Sequence, residues 1–223
     1  MGLNNMRQVN FMDTIVYLHD LGDIACDNII KGQFFEEHLV HFFNKIIKPD
    51  SVIVEGGTHV GMHTVRFSKL VPLGHVYSFE ASRRNFYLAN KTITENNIQN
   101  VTILNKALYS ENKVVYLSEH QHPDQDSVNP DFGSPVEAIT IDSLNLSKID
   151  FIKLDVEGAE LEVLIGASDV LKNKRPIIAF EFLNHRTDIP SPIPFLVENG
   201  YDVYNIDTHW DYIAVPNEKQ IEI

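Results

Sequence analysis

Apolar and polar positions along this chain switch repeatedly between a strand-like and a helix-like period, and the switching predicts an α/β fold. Thr14–Leu18 and Asp27–Ile30 read as short lead-in strands. From Phe34 to Ile47 the apolar residues Phe35, Leu39, Phe42, Phe43 and Ile46 recur at helical spacing, and Pro49-Asp50 ends that amphipathic helix. Ser51–Glu55 reads as a buried strand, Gly56–Gly61 as a glycine-bearing turn and His63–Leu70 as a helix. Beyond the turn at Pro72-Leu73-Gly74 come a strand at His75–Glu80, a helix at Ser82–Asn96 with Ser82 at its N-cap, and strands at Val101–Asn105 and Lys113–Ser118. Further strands are expected at Val136–Asp142 and Phe151–Asp155, then a helix at Glu157–Leu171, and past the break at Arg175-Pro176 a strand at Ile177–Phe182. Pro190, Pro192 and Pro194 open a last helix that stops at Gly200. Tyr201–Ile206 and Asp211–Val215 are expected to close the sheet as an antiparallel pair.

The pattern fits a single Rossmann-like domain over residues 49–223, with a mostly parallel sheet and an antiparallel C-terminal strand. Residues 1–48 form a lead-in of short strands and a helix packed on that core. One segment has no sustained period: Glu119–Pro135 holds two His, three Asp, three Pro and one Gly. It reads as a long loop whose anchored ends suit a cover over a pocket, and it is expected to contact an acceptor molecule.

Composition narrows the classes. With 223 residues the chain can bury one sizeable core. No run approaches the roughly 20 apolar residues of a membrane span, and the polar Met1–Asn10 lacks a signal-peptide core, which favours the cytoplasm. The single cysteine, Cys26, excludes an internal disulfide and reads as a small buried hydrophobe. Eighteen basic against 31 acidic side chains give a formal charge of −13, which opposes a nucleic-acid partner. Arg83-Arg84 and Lys172–Arg175 are the only basic clusters, and both suit solvated helix ends.

The candidate chemistry begins at Val54-Glu55-Gly56-Gly57-Thr58-His59-Val60-Gly61, where an acid ends a buried strand and glycines lead into a helix. Glycine permits a sharp turn and close ligand approach, and a helix N-terminus offers free N–H groups. The spacing is not Gly-x-Gly-x-x-Gly, so the dinucleotide fingerprint is absent. A second acid, Glu80, ends the next strand, where a carboxylate can accept from both hydroxyls of a ribose. Acids ending both strands form the arrangement used for S-adenosylmethionine.

With those residues in view, the chain resembles the FkbM family of adenosylmethionine-dependent methyltransferases. Gly32-Gln33-Phe34-Phe35-Glu36 is similar to the family's lead-in, Val52–Thr64 to its cofactor loop, Phe79-Glu80-Ala81 to its ribose acid and Asn105-Lys106-Ala107-Leu108 to its adenine-side segment. The most specific block is Lys153-Leu154-Asp155-Val156-Glu157-Gly158-Ala159-Glu160. Glu55 stands where the family usually has Asp, and Gly56-Gly57-Thr58-His59 stands for a more typical Val-Gly-Ala-Asn. Together the turn and the resemblance imply cofactor contacts from Glu36, Glu55, Gly57, Thr58, His59, Gly61, Glu80, Ala81, Asn105, Ala107 and Asp155. The resemblance also implies O-methylation of a sugar or small secondary metabolite.

Asp155, Glu181 and His185 are the candidate catalytic groups, because strand ends at the carboxyl edge of such a sheet converge and a hydroxyl nucleophile benefits from a base. Asn184 follows Glu181 at the same edge. Asp155, Glu181, His185, His120, His122 and Asp124 offer metal-ligating atoms, but their spacing enforces no site and no metal is expected. Two alternatives stay open: a dinucleotide-dependent oxidoreductase and a non-catalytic adenosylmethionine-binding domain.

Overall fold

The computed structural model describes residues 6–11, 13–20, 23–33, 36–118, 120, 126–129, 132–182, 189–206 and 210–221. Its strands are β1 (Met6–Phe11), β2 (Thr14–His19), β3 (Val52–Gly56), β4 (His75–Phe79), β5 (Val101–Leu104), β6 (Ala107–Leu108), β7 (Lys113–Ser118), β8 (Ser127–Asn129), β9 (Ser134–Ile139), β10 (Phe151–Leu154), β11 (Ile177–Glu181), β12 (Tyr201–Asn205) and β13 (Asp211–Pro216). Its helices are α1 (Ile24–Ile30), α2 (Glu37–Ile46), α3 (Met62–Leu70), α4 (Arg83–Glu95), α5 (Glu160–Ile165), α6 (Ser168–Asn173) and α7 (Ile193–Glu198).

Among the described residues, seven strands form the main sheet in the order β12-β13-β11-β10-β3-β4-β5. The strands from β11 to β5 run parallel, and β13 enters antiparallel between β11 and β12, as the alternation of elements foretold. Successive residues of each central strand serve opposite faces. Ile53, Val76, Phe151 and Ala179 pack under α2 and α3, whereas Val54, Ile152, Leu154, Ile178 and Phe180 pack under α5, α6 and α7. Burial on both faces explains why these strands read as unbroken apolar runs. After β3 the chain winds outward through β4 and β5 and then returns to the other side of β3 at β10. The direction of winding reverses there, and such a reversal leaves a crevice beyond the carboxyl ends of the strands.

A hairpin of β1 and β2 packs on α4, where the Asn96 side chain accepts from Ile15 N–H and donates to Ile15 C=O. A second sheet, ordered β6-β9-β7-β8, sits beyond β5 in the chain.

Several elements differ from the sequence expectation, each for a physical reason. Asp27–Ile30 lies in α1 rather than in a strand, because the Asp23 carboxylate caps that helix by accepting from Cys26 N–H. β1 was not foreseen; its polar residues are stabilised by pairing with β2. Glu157–Leu171 is not one helix. Glu157 and Gly158 take positive φ (55° and 103°), and the chain breaks again at Gly166, where a Cβ would stand 2.1 Å from the Tyr109 carbonyl oxygen. Ser82 occupies the N-cap of α4 without a side-chain cap bond. The expected loop at 119–135 contains β8 and the start of β9, which pair with β7. Its residues His122 and Asp124, like Phe34, Phe35, Asn184, His185 and the polar start Met1–Asn5, lie outside the described residues.

α2 is held to the sheet by Phe43, which is wholly buried and meets Phe67, Phe151 and the His63 ring at 5.2–5.8 Å between centroids. Phe43→Ala is expected to cost about 3–5 kcal/mol of stability, the usual range for emptying a buried aromatic site. Urea unfolding monitored by circular dichroism measures that loss.

Candidate active site

The crevice holds a cavity of about 480 Å³, and four strand ends build its walls. The turn after β3 is the first. Gly57 has φ of 82°, and a Cβ there would stand 1.6 Å from the Asp155 carbonyl oxygen, so only glycine lets this turn lie against the end of β10. On the other side the N–H groups of Gly57 and Thr58 both donate to the Phe79 carbonyl, which ties the turn to the end of β4. His59 follows with φ of 51°, a left-handed conformation that constrains its backbone.

Glu80, at the end of β4, is that constraint's partner. Its Oε2 accepts from His59 N–H at 2.6 Å and its Oε1 from Ser82 N–H at 2.8 Å. Burial pushes its carboxyl up to about 7, against the pull of these two bonds. The Asn105 side chain donates to the Glu80 and Ala81 carbonyls and so shapes this segment from behind. Ala81 and Ala107 complete the wall.

Opposite stands an acidic group. Asp155, Glu157 and Glu181 bring one carboxylate oxygen each within 4.8 Å of one another. Lys153, itself 4% exposed, reaches Asp155 Oδ2 at 2.9 Å. Burial, then Asp155 and Glu157, push the Glu181 carboxyl up to about 10. Glu36, at the N-cap of α2 with φ of 60°, pairs with His63 at 2.8 Å. Burial would raise its carboxyl, but Lys153 and His63 outweigh burial and hold it down to about 2. Glu160 Oε1 accepts from Val156 and Gly158 N–H, which closes the turn that presents Glu157.

Of the residues expected at the site, Glu36, Gly57, Thr58, His59, Glu80, Ala81, Ala107, Asp155 and Glu181 line this cavity. Three expected contacts do not. Glu55 is fully buried and its Oε2 accepts from the Thr64 and Ser78 hydroxyls, because strand alternation turns it to the same face as Ile53, under α3. Gly61 caps α3 and packs on Ala89. Asn105 faces a separate hollow lined by Arg83 and Glu137. The segment expected to cover an acceptor places Asp126 and Val128 on the cavity wall, and Asp126 acts electrostatically on Glu80. Arg84 grips both carboxylate oxygens of Asp126 at 2.6 and 3.1 Å.

Sequence reasoning missed Ile24, Met62, Lys106, Asp126 and Trp210, which also line the cavity. An Asp before an apolar run is an N-cap signal, and reading it would have turned α1 into a helix whose first residue, Ile24, meets the cavity. Trp210 is brought in by β13, which pairs with β11, and its carbonyl accepts from Phe182 N–H at 2.8 Å. Nothing local in the sequence signals that placement.

Comparison with known proteins accords with this geometry. The family model described as "Methyltransferase FkbM domain" matches residues 55–203. A curated relative, "Methyltransferase 1" of Beauveria bassiana, is 22% identical, with 69% of this chain and 73% of that protein covered. A solved FkbM methyltransferase from Methylobacillus flagellatus superposes with a TM-score of 0.56 at 17% identity, covering 75% of this chain and 44% of that one. This chain thus spans under half the length of that solved relative. The M. jannaschii protein TYW2, solved in complex with AdoMet, superposes with a TM-score of 0.55 at 13% identity, covering 96% and 86% of the two chains. With the sheet order of a Rossmann-like methyltransferase and a family match over most of its length, this chain belongs to the FkbM methyltransferase family.

Proposed function

We propose that this chain transfers the methyl group of S-adenosylmethionine to a hydroxyl of an uncharged small acceptor, a sugar or small metabolite. The observation that carries the reading is the Glu80 carboxylate on the cavity wall. The N–H groups of His59 and Ser82 fix both its oxygens, and each oxygen keeps lone-pair capacity for another donor. Two neighbouring ribose hydroxyls are donors of that kind. The other lining residues fit the same ligand. Ala81 and Ala107 offer small apolar surface beside Glu80 for a base, and the Gly57 turn with Asp155 and Lys153 offers both charges for an amino-acid end. Glu55 bears on that end only through the packing of the turn. Family membership displaces the oxidoreductase alternative.

When bound, the sulfonium donor supplies an already activated methyl group. This chain's residues then hold the acceptor in line with it and receive the hydroxyl proton. Glu181, with its carboxyl pushed up to about 10, carries its own proton at neutral pH and serves as a hydrogen-bond donor. Asp155, oriented by Lys153, is assigned as the proton acceptor, with the His185 imidazole as the alternative. The carboxylates around this end disfavour an anionic acceptor, as the net charge of −13 disfavours a polyanion.

Calorimetry is expected to show binding of adenosylmethionine and adenosylhomocysteine and none of NAD. Glu80→Ala is expected to weaken adenosylhomocysteine binding by about 1.5–3 kcal/mol, the worth of hydrogen bonds to a charged group. Unchanged affinity in a folded variant would remove Glu80 from the ribose role.

With labelled adenosylmethionine and a panel of hydroxylated acceptors, label is expected on neutral sugars or metabolites and not on matched carboxylated or phosphorylated ones. On the best acceptor, Asp155→Asn is expected to lower kcat by roughly 10²-fold or more, the scale of a lost general base. Wild-type turnover in that variant would move the role to His185.

Glu181 also sets a pH dependence of stability. Its folded pKa lies above its unfolded value near 4.5, so its contribution is complete below that value and falls away as pH rises toward about 10. Glu181→Gln is therefore expected to raise Tm relative to wild type increasingly between about pH 5 and pH 9, with no gain near pH 4. A thermal-shift series across that range tests the sign.

A further inference from the structure

We propose that Asp23 is a positioning residue for the cofactor loop and acts through His59; the inference rests on the adenosylmethionine reading of the cavity. Asp23 lies at the N-terminus of α1, outside the cavity wall, and is wholly buried. One carboxylate oxygen caps α1 by accepting from Cys26 N–H at 2.9 Å. The other stands 2.7 Å from His59 Nε2. Burial pushes the carboxyl up, but the His59 contact and the cap bond outweigh burial and keep it below the ordinary value.

The cap alone accounts for one oxygen. The second is spent on the ring of the one non-glycine residue in the 57–61 turn that takes a positive φ. His59 is gripped at two points: its ring by Asp23, and its backbone N–H by Glu80. Holding the ring fixes the residue whose N–H reaches Glu80, so the Asp23 contact secures the donor that orients the ribose acid. Asp23 thereby ties α1 to Glu80 through a residue of the loop.

The test separates capping from positioning. Asp23→Asn and Asp23→Ser both keep a side-chain oxygen for the Cys26 N–H, so the cap survives while the charge facing His59 is lost. In both variants the dissociation constant for adenosylhomocysteine is expected to rise about 10- to 100-fold, the scale of one hydrogen bond to a charged group. The acceptor KM is expected to stay unchanged. Amide hydrogen exchange across residues 57–61 of the ligand-free protein is expected to quicken. His59→Asn, which tolerates left-handed φ, is expected to weaken binding to a similar extent, and adding Asp23→Asn to it should change nothing more. Wild-type affinity and exchange in Asp23→Asn would overturn the proposal, as would losses that multiply in the double variant. If the wild-type protein binds no adenosylhomocysteine, the donor reading fails instead, and the exchange at 57–61 still decides whether Asp23 holds His59.

Discussion

The site depends on one close approach. The turn after β3 lies so near the end of β10 that the position of a Gly57 Cβ is taken by the Asp155 carbonyl oxygen. Because two parallel strands end side by side, the loops that follow them compete for the same space, and a missing side chain resolves the competition. Everything that lines the cavity is measured from that contact. Gly57 and Thr58 reach across to Phe79, Glu80 follows directly, and Asp155 leads on to Glu157 and Glu160. A turn displaced outward would separate the Glu80 wall from the acidic wall.

Charge is distributed between those walls with economy. Lys153 is a buried cation with acidic groups on several sides, and desolvation would discharge it in isolation. Asp155, Glu36 and Glu55 reverse that tendency and hold its charge. The same cation holds Glu36 ionised, while Glu181, further along the sheet edge, keeps its proton. Carboxyl groups close together thus differ in protonation, because Lys153 and His63 hold Glu36 down while burial with Asp155 and Glu157 holds Glu181 up. Pairs of titrating groups driven apart in this way are how a site obtains both an acceptor and a donor from one kind of side chain.

Much of the fold was legible because parallel strands buried on both faces leave unbroken apolar runs, as at Ile53-Val54 and Ile177–Phe180. Where identity depended on partners, the sequence was silent. Asp27–Ile30 is too short for its periodicity to separate strand from helix, and the carboxylate of Asp23 decided the matter. The Glu157–Leu171 segment has helical apolar spacing throughout, yet positive φ at Glu157 and Gly158 and the crowding of Gly166 on Tyr109 divide it. At the site, the strand-end acids were legible because chain order alone carries them to one edge. The inward turn of Glu55 was not, since the hydroxyls that receive it, Thr64 and Ser78, come from other elements, α3 and β4. Trp210 arrives through pairing distant in sequence, which no local pattern encodes.

The placement of β13 has a consequence for the order of assembly. β11 is complete in sequence by Glu181, but its outer edge is paired by residues 211–214, and the strand beyond them, β12, comes earlier in the chain. During synthesis from the N-terminus, β11 and then β12 leave the ribosome while the strand that belongs between them is still unmade. Over that interval Ile178, Ala179 and Phe180 present an unpaired apolar strand edge, the kind of surface that recruits foreign strands. The nascent chain is therefore most exposed to misassembly just before Asp211–Pro216 emerges, and the same insertion that ends this exposure delivers Trp210 to the cavity.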